Sequence, residues 1–219
     1  MRGALSMKNI YLVIFLMSIL IDSSLAQSKS KIGLAAYVTY SSPVAGLSEW
    51  FEPALNYGAG IGGNYNDDWY FEGLIDYCQF EEEYQNSQAT GRVDLFLQHL
   101  GFIFNTKYRF ASLGVLIPYL NFGIGLYYWK GSRGAIEPDD SIEPPIPYIE
   151  QLILEEWNFG FRTGLGVELQ FSDHIALDLC GYYRFIVGEL WPTLQPHVEL
   201  ENVSGFQTIN LEMMIRYYF

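Results

Sequence analysis

The sequence predicts an all-β protein, an eight-stranded antiparallel up-and-down transmembrane β-barrel, and three observations carry that prediction. Apolar and polar side chains alternate with period 2 in eight separate stretches, the pattern of strands with two unlike faces. The connections between these stretches alternate short and long, which a sandwich has no reason to do and a membrane barrel does. The last fourteen residues, from Phe206 to Phe219, form one such strand and finish on an aromatic. Termini of soluble domains fray in water, whereas the last strand of a barrel pairs with the first and sets its aromatic in the interface girdle.

Residues 1–26 read as a signal peptide, and 27–219 as the barrel. Arg2 and Lys8 make a positive start, Ile10 to Ile21 an apolar run, and Ser24-Leu25-Ala26 a small-x-small cleavage site before Gln27. The run falls short of the ~20 residues of a membrane helix, and no later uncharged apolar stretch approaches about 18. Any membrane span must therefore be made of strands. They are expected at 31–41, 55–65, 69–80, 93–109, 116–129, 157–171, 174–187 and 206–219.

The sixth strand is the clearest of these. Trp157, Phe159, Phe161, Thr163, Leu165, Val167, Leu169 and Phe171 share one face, while Asn158, Gly160, Arg162, Gly164, Gly166, Glu168 and Gln170 share the other. In the last strand Ile209, Leu211, Met213, Ile215, Tyr217 and Phe219 oppose Thr208, Asn210, Glu212 and Arg216. The fourth strand leaves an alternative open. Placing Phe96, Phe102, Phe104, Tyr108 and Phe110 on lipid puts His99, Lys107 and Arg109 inside but turns Gln98 outward, and a bulge would flip some of these. Short turns are expected at Asn66-Asp67-Asp68, Ala111-Ser112-Leu113-Gly114 and Ser172-Asp173, and longer loops near 42–54, 81–92, 130–156 and 188–205.

The signal segment, the run Pro118-Tyr119-Leu120-Asn121-Phe122-Gly123-Ile124-Gly125-Leu126-Tyr127-Tyr128, the turn Phe171-Ser172-Asp173-His174 and the ending Met214-Ile215-Arg216-Tyr217-Tyr218-Phe219 occur in this order. Together they resemble the small eight-stranded outer-membrane barrels, the OmpA-transmembrane-domain and OmpX-like group of porin-family proteins. The resemblance implies a Gram-negative outer-membrane location after export. It also implies contact with outer-membrane lipids and lipopolysaccharide, a monomeric state, and a C-terminal signal for the barrel-assembly machinery carried by Ile215, Tyr217 and Phe219.

An eight-stranded barrel is only wide enough for side chains or one small ligand. Strand phasing places ten charged residues inside: Glu72, Asp76, Glu168, Asp178 and Glu212 against Lys107, Arg109, Arg162, Arg184 and Arg216. Buried charges persist only when paired, so the lumen is expected to hold a neutral salt-bridged network that obstructs ions and water. Glycines gather on the same inner faces, at 58, 60, 62, 123, 125, 160, 164 and 166. They make room either for Arg162, Tyr182, Arg184 and Tyr127 or for an internal cavity. Cys78 and Cys180 fall on opposite inner walls, too far apart for a disulfide.

Without the signal segment the chain keeps 10 Lys+Arg against 24 Asp+Glu, a formal net charge of −14. That balance excludes nucleic acid as a partner. Fifteen of the acidic residues fall in the expected long loops, at Glu49, Glu52, Glu81–Glu83, Glu137, Asp139, Asp140, Glu143, Glu150, Glu155, Glu156, Glu189, Glu199 and Glu201. They give a solvated rim, or a surface for divalent cations bridging to lipopolysaccharide phosphates.

No catalytic, cofactor or metal site is expected. The mature histidines are His99, His174 and His197, and the mature serines lie in loops, turns or the N-terminal tail, so no Ser–His pair shares a strand. Metal-ligand spacing is absent from the sequence. The leading expectation is a structural, envelope-stabilising or adhesive barrel with acidic loops. A narrow porin for small solutes and a lipid A-modifying barrel enzyme are the alternatives.

Overall fold

The computed structural model describes residues 32–81, 95–110, 113–135, 138, 141, 145, 147, 148, 150–190 and 203–219, without the side chains of 49, 189, 190, 203 and 204. The expected signal segment 1–26, much of the second and fourth long loops, and His197 lie outside the described residues. The strands are β1 (Ile32–Pro43), β2 (Ala54–Asn64), β3 (Trp69–Glu81), β4 (Leu95–Arg109), β5 (Leu116–Arg133), β6 (Leu152–Gln170), β7 (Ile175–Leu190) and β8 (Val203–Tyr218). Each pairs antiparallel with its neighbour in sequence, and β8 returns to β1 from Gly33↔Tyr218 to Pro43↔Thr208, closing the barrel. Closure matters because hydrocarbon offers no partner to an open backbone edge.

Alternation sets which way each side chain points. Leu34, Ile61, Ile75, Phe102, Phe104, Phe122, Ile124, Leu165, Leu211 and Ile215 face outward and are exposed. Among the described side chains, outward-facing strand residues carry charge only at the long-loop ends, at Glu81, Lys130 and Glu155. Such a belt is incompatible with water and suited to lipid. Aromatic contacts ring its short-turn end, where Trp69 lies 4.9 Å from Tyr108 and 6.2 Å from Phe71, and Phe71 stacks on Phe104 at 5.9 Å.

The fourth strand carries no bulge. Its register runs unbroken from Trp69↔Tyr108 to Glu81↔Phe96 on one side and from Leu95↔Arg133 to Arg109↔Tyr119 on the other. Gln98 does face outward, and the Tyr77 hydroxyl donates a 3.1 Å hydrogen bond to its side chain.

The long-loop ends differ from the sequence expectation. β5 continues to Arg133 and β6 begins at Leu152, so Lys130, Ser132, Glu155 and Glu156 belong to strands rather than to the third loop. Glu81 ends β3, Glu189 lies on β7, and Glu49 closes a 3-10 helix, Ala45–Glu49. Ser41, Ser42 and Ser204 are strand residues as well, which corrects the placement of all serines in loops; Ser41 donates a buried 2.6 Å bond to Asn210. On β7 and β8 the cause is a bulge. Ile186 pairs with Phe206 and Glu189 with Ser204, so Val187 and Gly188 face Gly205 alone. Gly205 adopts φ +82°, and a Cβ there would crowd the Phe185 ring. One surplus residue shifts the alternation, and period-2 reading stops at that point.

Candidate functional site: the filled lumen

Inner-facing residues sort into three tiers along the barrel axis. Nearest the short turns, Glu72 on β3, Lys107 and Arg109 on β4, Glu168 on β6, Asp178 on β7 and Arg216 on β8 form one interlocked cluster. Arg216 reaches Glu72 at 2.7 Å, Asp178 at 2.9 Å and Glu168 at 3.6 Å. Lys107 bridges Asp178 at 3.2 Å and Glu72 at 3.5 Å, and Arg109 binds Glu168 at 2.7 Å. Two cations thus share Glu72 and Asp178, so neither carboxylate depends on a single partner. Aromatic faces cover the cations: Arg216 lies 4.4 Å from the Tyr70 ring and Lys107 4.7 Å from that of Tyr119.

The middle tier holds Asp76, His99, Arg162, Arg184 and Glu212. Arg184 donates to Asp76 at 2.5 Å and approaches His99 Nε2 at 2.7 Å, which makes that nitrogen the acceptor. Arg162 donates to both oxygens of Glu212 at 3.1 Å and stacks 3.8 Å from the Tyr182 ring. All ten charged residues expected inside the lumen are buried and ion-paired.

The third tier, toward the long loops, is apolar apart from Arg133. Phe80, Leu95, Leu97, Trp129, Ile186 and Phe206 form a buried cluster that the 3-10 helix and the segment after it close with Leu47 and Phe51, at 1% and 2% exposure. Trp129 and Phe206 meet edge to face at 4.9 Å. Ionic pairing therefore fills two tiers rather than the whole interior. Sequence reading missed this cap because Leu47 and Phe51 sit in a loop without period, and because Phe206 lies next to the bulge, where the alternation along β8 is interrupted. It also missed Arg133, which faces inward at 2% exposure and donates through Nη2 to the Glu150 carbonyl at 2.9 Å. Charge alone gave no signal there, since 130–156 reads as loop.

The inner glycines admit large side chains. A Cβ at Gly58 would collide with the Tyr37 ring, at Gly166 with that of Tyr119, and at Gly123 it would fall 2.9 Å from Arg162 Cγ. Tyr127 takes the space over Gly101, Gly125 and Gly160. At these positions the space beside the backbone is taken by protein side chains, as the first reading of these glycines requires.

Cys78 and Cys180 are both buried and unbridged. His174 sits at the short-turn end with Nδ1 3.0 Å from the Tyr218 carbonyl oxygen, and among the described residues no group of three or more His, Cys, Asp or Glu is placed to hold a metal ion. Ile215, Tyr217 and Phe219 point away from the lumen.

No protein-family model matches the chain, and no curated protein is similar to it in sequence. Solved structures are similar in fold. Neisserial surface protein A superposes with a TM-score of 0.51 at 16% identity, covering 88% of this chain and 98% of that one. A major outer membrane protein from Thermus thermophilus gives 0.50 at 11% identity, covering 88% and 100%. Both likenesses, the apolar outer belt and the closed ladder point one way: this chain has the fold of the small eight-stranded bacterial outer-membrane β-barrels, and that fold supports an outer-membrane location.

Proposed function

We propose that this protein is a sealed outer-membrane barrel with a structural, envelope-stabilising or adhesive role, acting through the surface at its long-loop end rather than by passing solutes. The observation that supports this reading is the filled lumen: ten buried charges in interlocking pairs, roofed by an apolar cap. A conducting pore needs a hydrated path, and in each tier large side chains meet across the lumen. In this reading the barrel is a monomer among outer-membrane lipids and lipopolysaccharide. Its outward residues Ile215, Tyr217 and Phe219 serve as the signal for the barrel-assembly machinery.

Planar-bilayer recording on the refolded chain tests the seal. The expected result is no steady conductance. A steady current that changes on substitution of Arg162 or Arg216 would overturn the reading in favour of a narrow porin.

A further inference from the structure

Among the described residues, the barrel wall is unpaired along one line. β6 is matched with β5 over its whole length, from Leu116↔Leu169 to Arg133↔Leu152. Its ladder with β7 begins only at Gly160↔Ile186. Beyond Ile186 the bulge carries β7 toward β8, with which it pairs at Glu189↔Ser204 and Leu190↔Val203. Residues 152–159 of β6 are therefore a strand edge, and among the described residues none pairs with it. Every second residue of an antiparallel strand turns its N–H and C=O to one side, and among the described residues nothing takes up the donors and acceptors along this edge.

The side chains beside the edge state what would fit it. Ile153, Trp157 and Phe159 are exposed on the outer face, at 50%, 53% and 74%. Leu152 and Leu154 face inward, half-buried against the apolar cap. Between these apolar ends lie Glu155 and Glu156, both exposed. Glu155 accepts from the Tyr128 hydroxyl and pairs with Lys130 at 3.3 Å, contacts that hold its carboxyl below the usual carboxylate range and keep it charged. Among the described residues, Lys130 is the one cation this edge pairs with, and Glu156 accepts an amide hydrogen bond from Asn158 at 3.2 Å. A second copy of this chain pairing across a two-fold axis centred on Glu155 or on Glu156 would set that carboxylate opposite its own copy, and like charges directly opposed destabilise a ladder.

We propose that the edge 152–159 is a strand-addition site for an extended segment of another protein, with basic residues opposite Glu155 and Glu156 and apolar residues beside Ile153 and Trp157. Backbone hydrogen bonds supply the attachment, and the acidic step sets charge preference and register. The inference deepens the reading of the barrel as an interaction protein and rests on that reading.

Amide hydrogen exchange on the full chain, refolded in lipid nanodiscs, tests it with three short synthetic peptides. One places two adjacent lysines between pairs of valines, one places two adjacent glutamates in the same frame, and one is the lysine–valine peptide N-methylated at alternate residues so that it cannot pair. The lysine–valine peptide is expected to slow exchange at 152–159 by about tenfold, the other two to leave it unchanged. In a variant carrying Glu155→Lys and Glu156→Lys, which changes only exposed residues, the preference is expected to reverse toward the glutamate–valine peptide. Equal protection by all three peptides, or no protection by the lysine–valine peptide, overturns the proposal. So does an edge that exchanges as slowly without peptide as the paired residues 160–170. Bilayer conductance is independent of these outcomes: a silent barrel with an unresponsive edge removes this site alone, and a conducting barrel removes the seal alone.

Discussion

Arg162 on β6 crosses β7 to reach Glu212 on β8, and no other carboxylate lies within ion-pair distance of it among the described residues. The pair is thus separable from the Arg216 cluster. Removing one partner strands a buried charge, so Arg162→Met is expected to destabilise the barrel by about 3–5 kcal/mol. Replacing both partners with apolar residues removes the stranded charge, so Arg162→Met with Glu212→Leu should be more stable than Arg162→Met alone. Urea unfolding of the refolded barrel measures both; a double variant no better than the single one would show that the neighbouring dipoles, and not the pairing, hold these charges. Residues of this kind are legible in sequence because a charge at the inner phase of an alternating strand has only the lumen to enter. Which acid meets which base is not legible. Arg184 finds Asp76 from β7 to β3, and Arg216 finds Glu72 from β8 to β3, distances across the barrel that only stagger and side-chain length decide.

At the scale of the strand, close approach is as demanding as charge. A Cβ on Gly164 of β6 would collide with the Gly181 carbonyl oxygen and crowd the Tyr182 backbone, and neither can move without breaking the β6–β7 ladder. Gly164→Ala is therefore expected to abolish the heat-modifiable folded form on electrophoresis. Gly73→Ala on β3 points outward and meets nothing closer than the Ile61 carbonyl oxygen at 4.0 Å, so it should fold as the parent does. Equal folding of both variants would show that the wall yields where it is drawn tight. Strand interiors were readable from alternation, and their short-turn ends were readable from turn residues such as Asn66, whose side chain accepts from the backbone N–H groups of Asp68 and Trp69 at 3.0 and 2.7 Å. The long-loop ends were not. β5 and β6 outlast the membrane belt, so lipid no longer enforces an apolar outer face, and Lys130 and Glu155 read as loop. At Gly205 the alternation itself is broken.

For the whole molecule, the architecture was legible because eight repeats of one simple pattern leave little choice: even strand number, alternating loop length and an apolar exterior agree on a closed membrane barrel. The contents of the lumen were legible only by half. Charges announce themselves within strands, while the apolar roof is assembled from six chain regions: the 3-10 helix segment around Leu47 and Phe51, β3 at Phe80, β4 at Leu95 and Leu97, β5 at Trp129, β7 at Ile186 and β8 at Phe206. No one of these regions signals the roof by itself.

The stacking of that roof on the ionic tiers has an electrical meaning. Obstructions met one after another along a single path add as resistances in series, so the current is set by the larger, and abolishing one leaves the other in control. Phe51→Ala, which opens the roof, and Arg216→Met, which disturbs the lowest ionic tier, should each remain silent in a planar bilayer, while the combined variant conducts. A current from Phe51→Ala alone would mean that the ionic tiers leak whenever water reaches them. If the barrel is sealed as proposed, two obstructions in series make it insensitive to any single lesion in its plug, and the long-loop surface can change without risk to the permeability of the membrane.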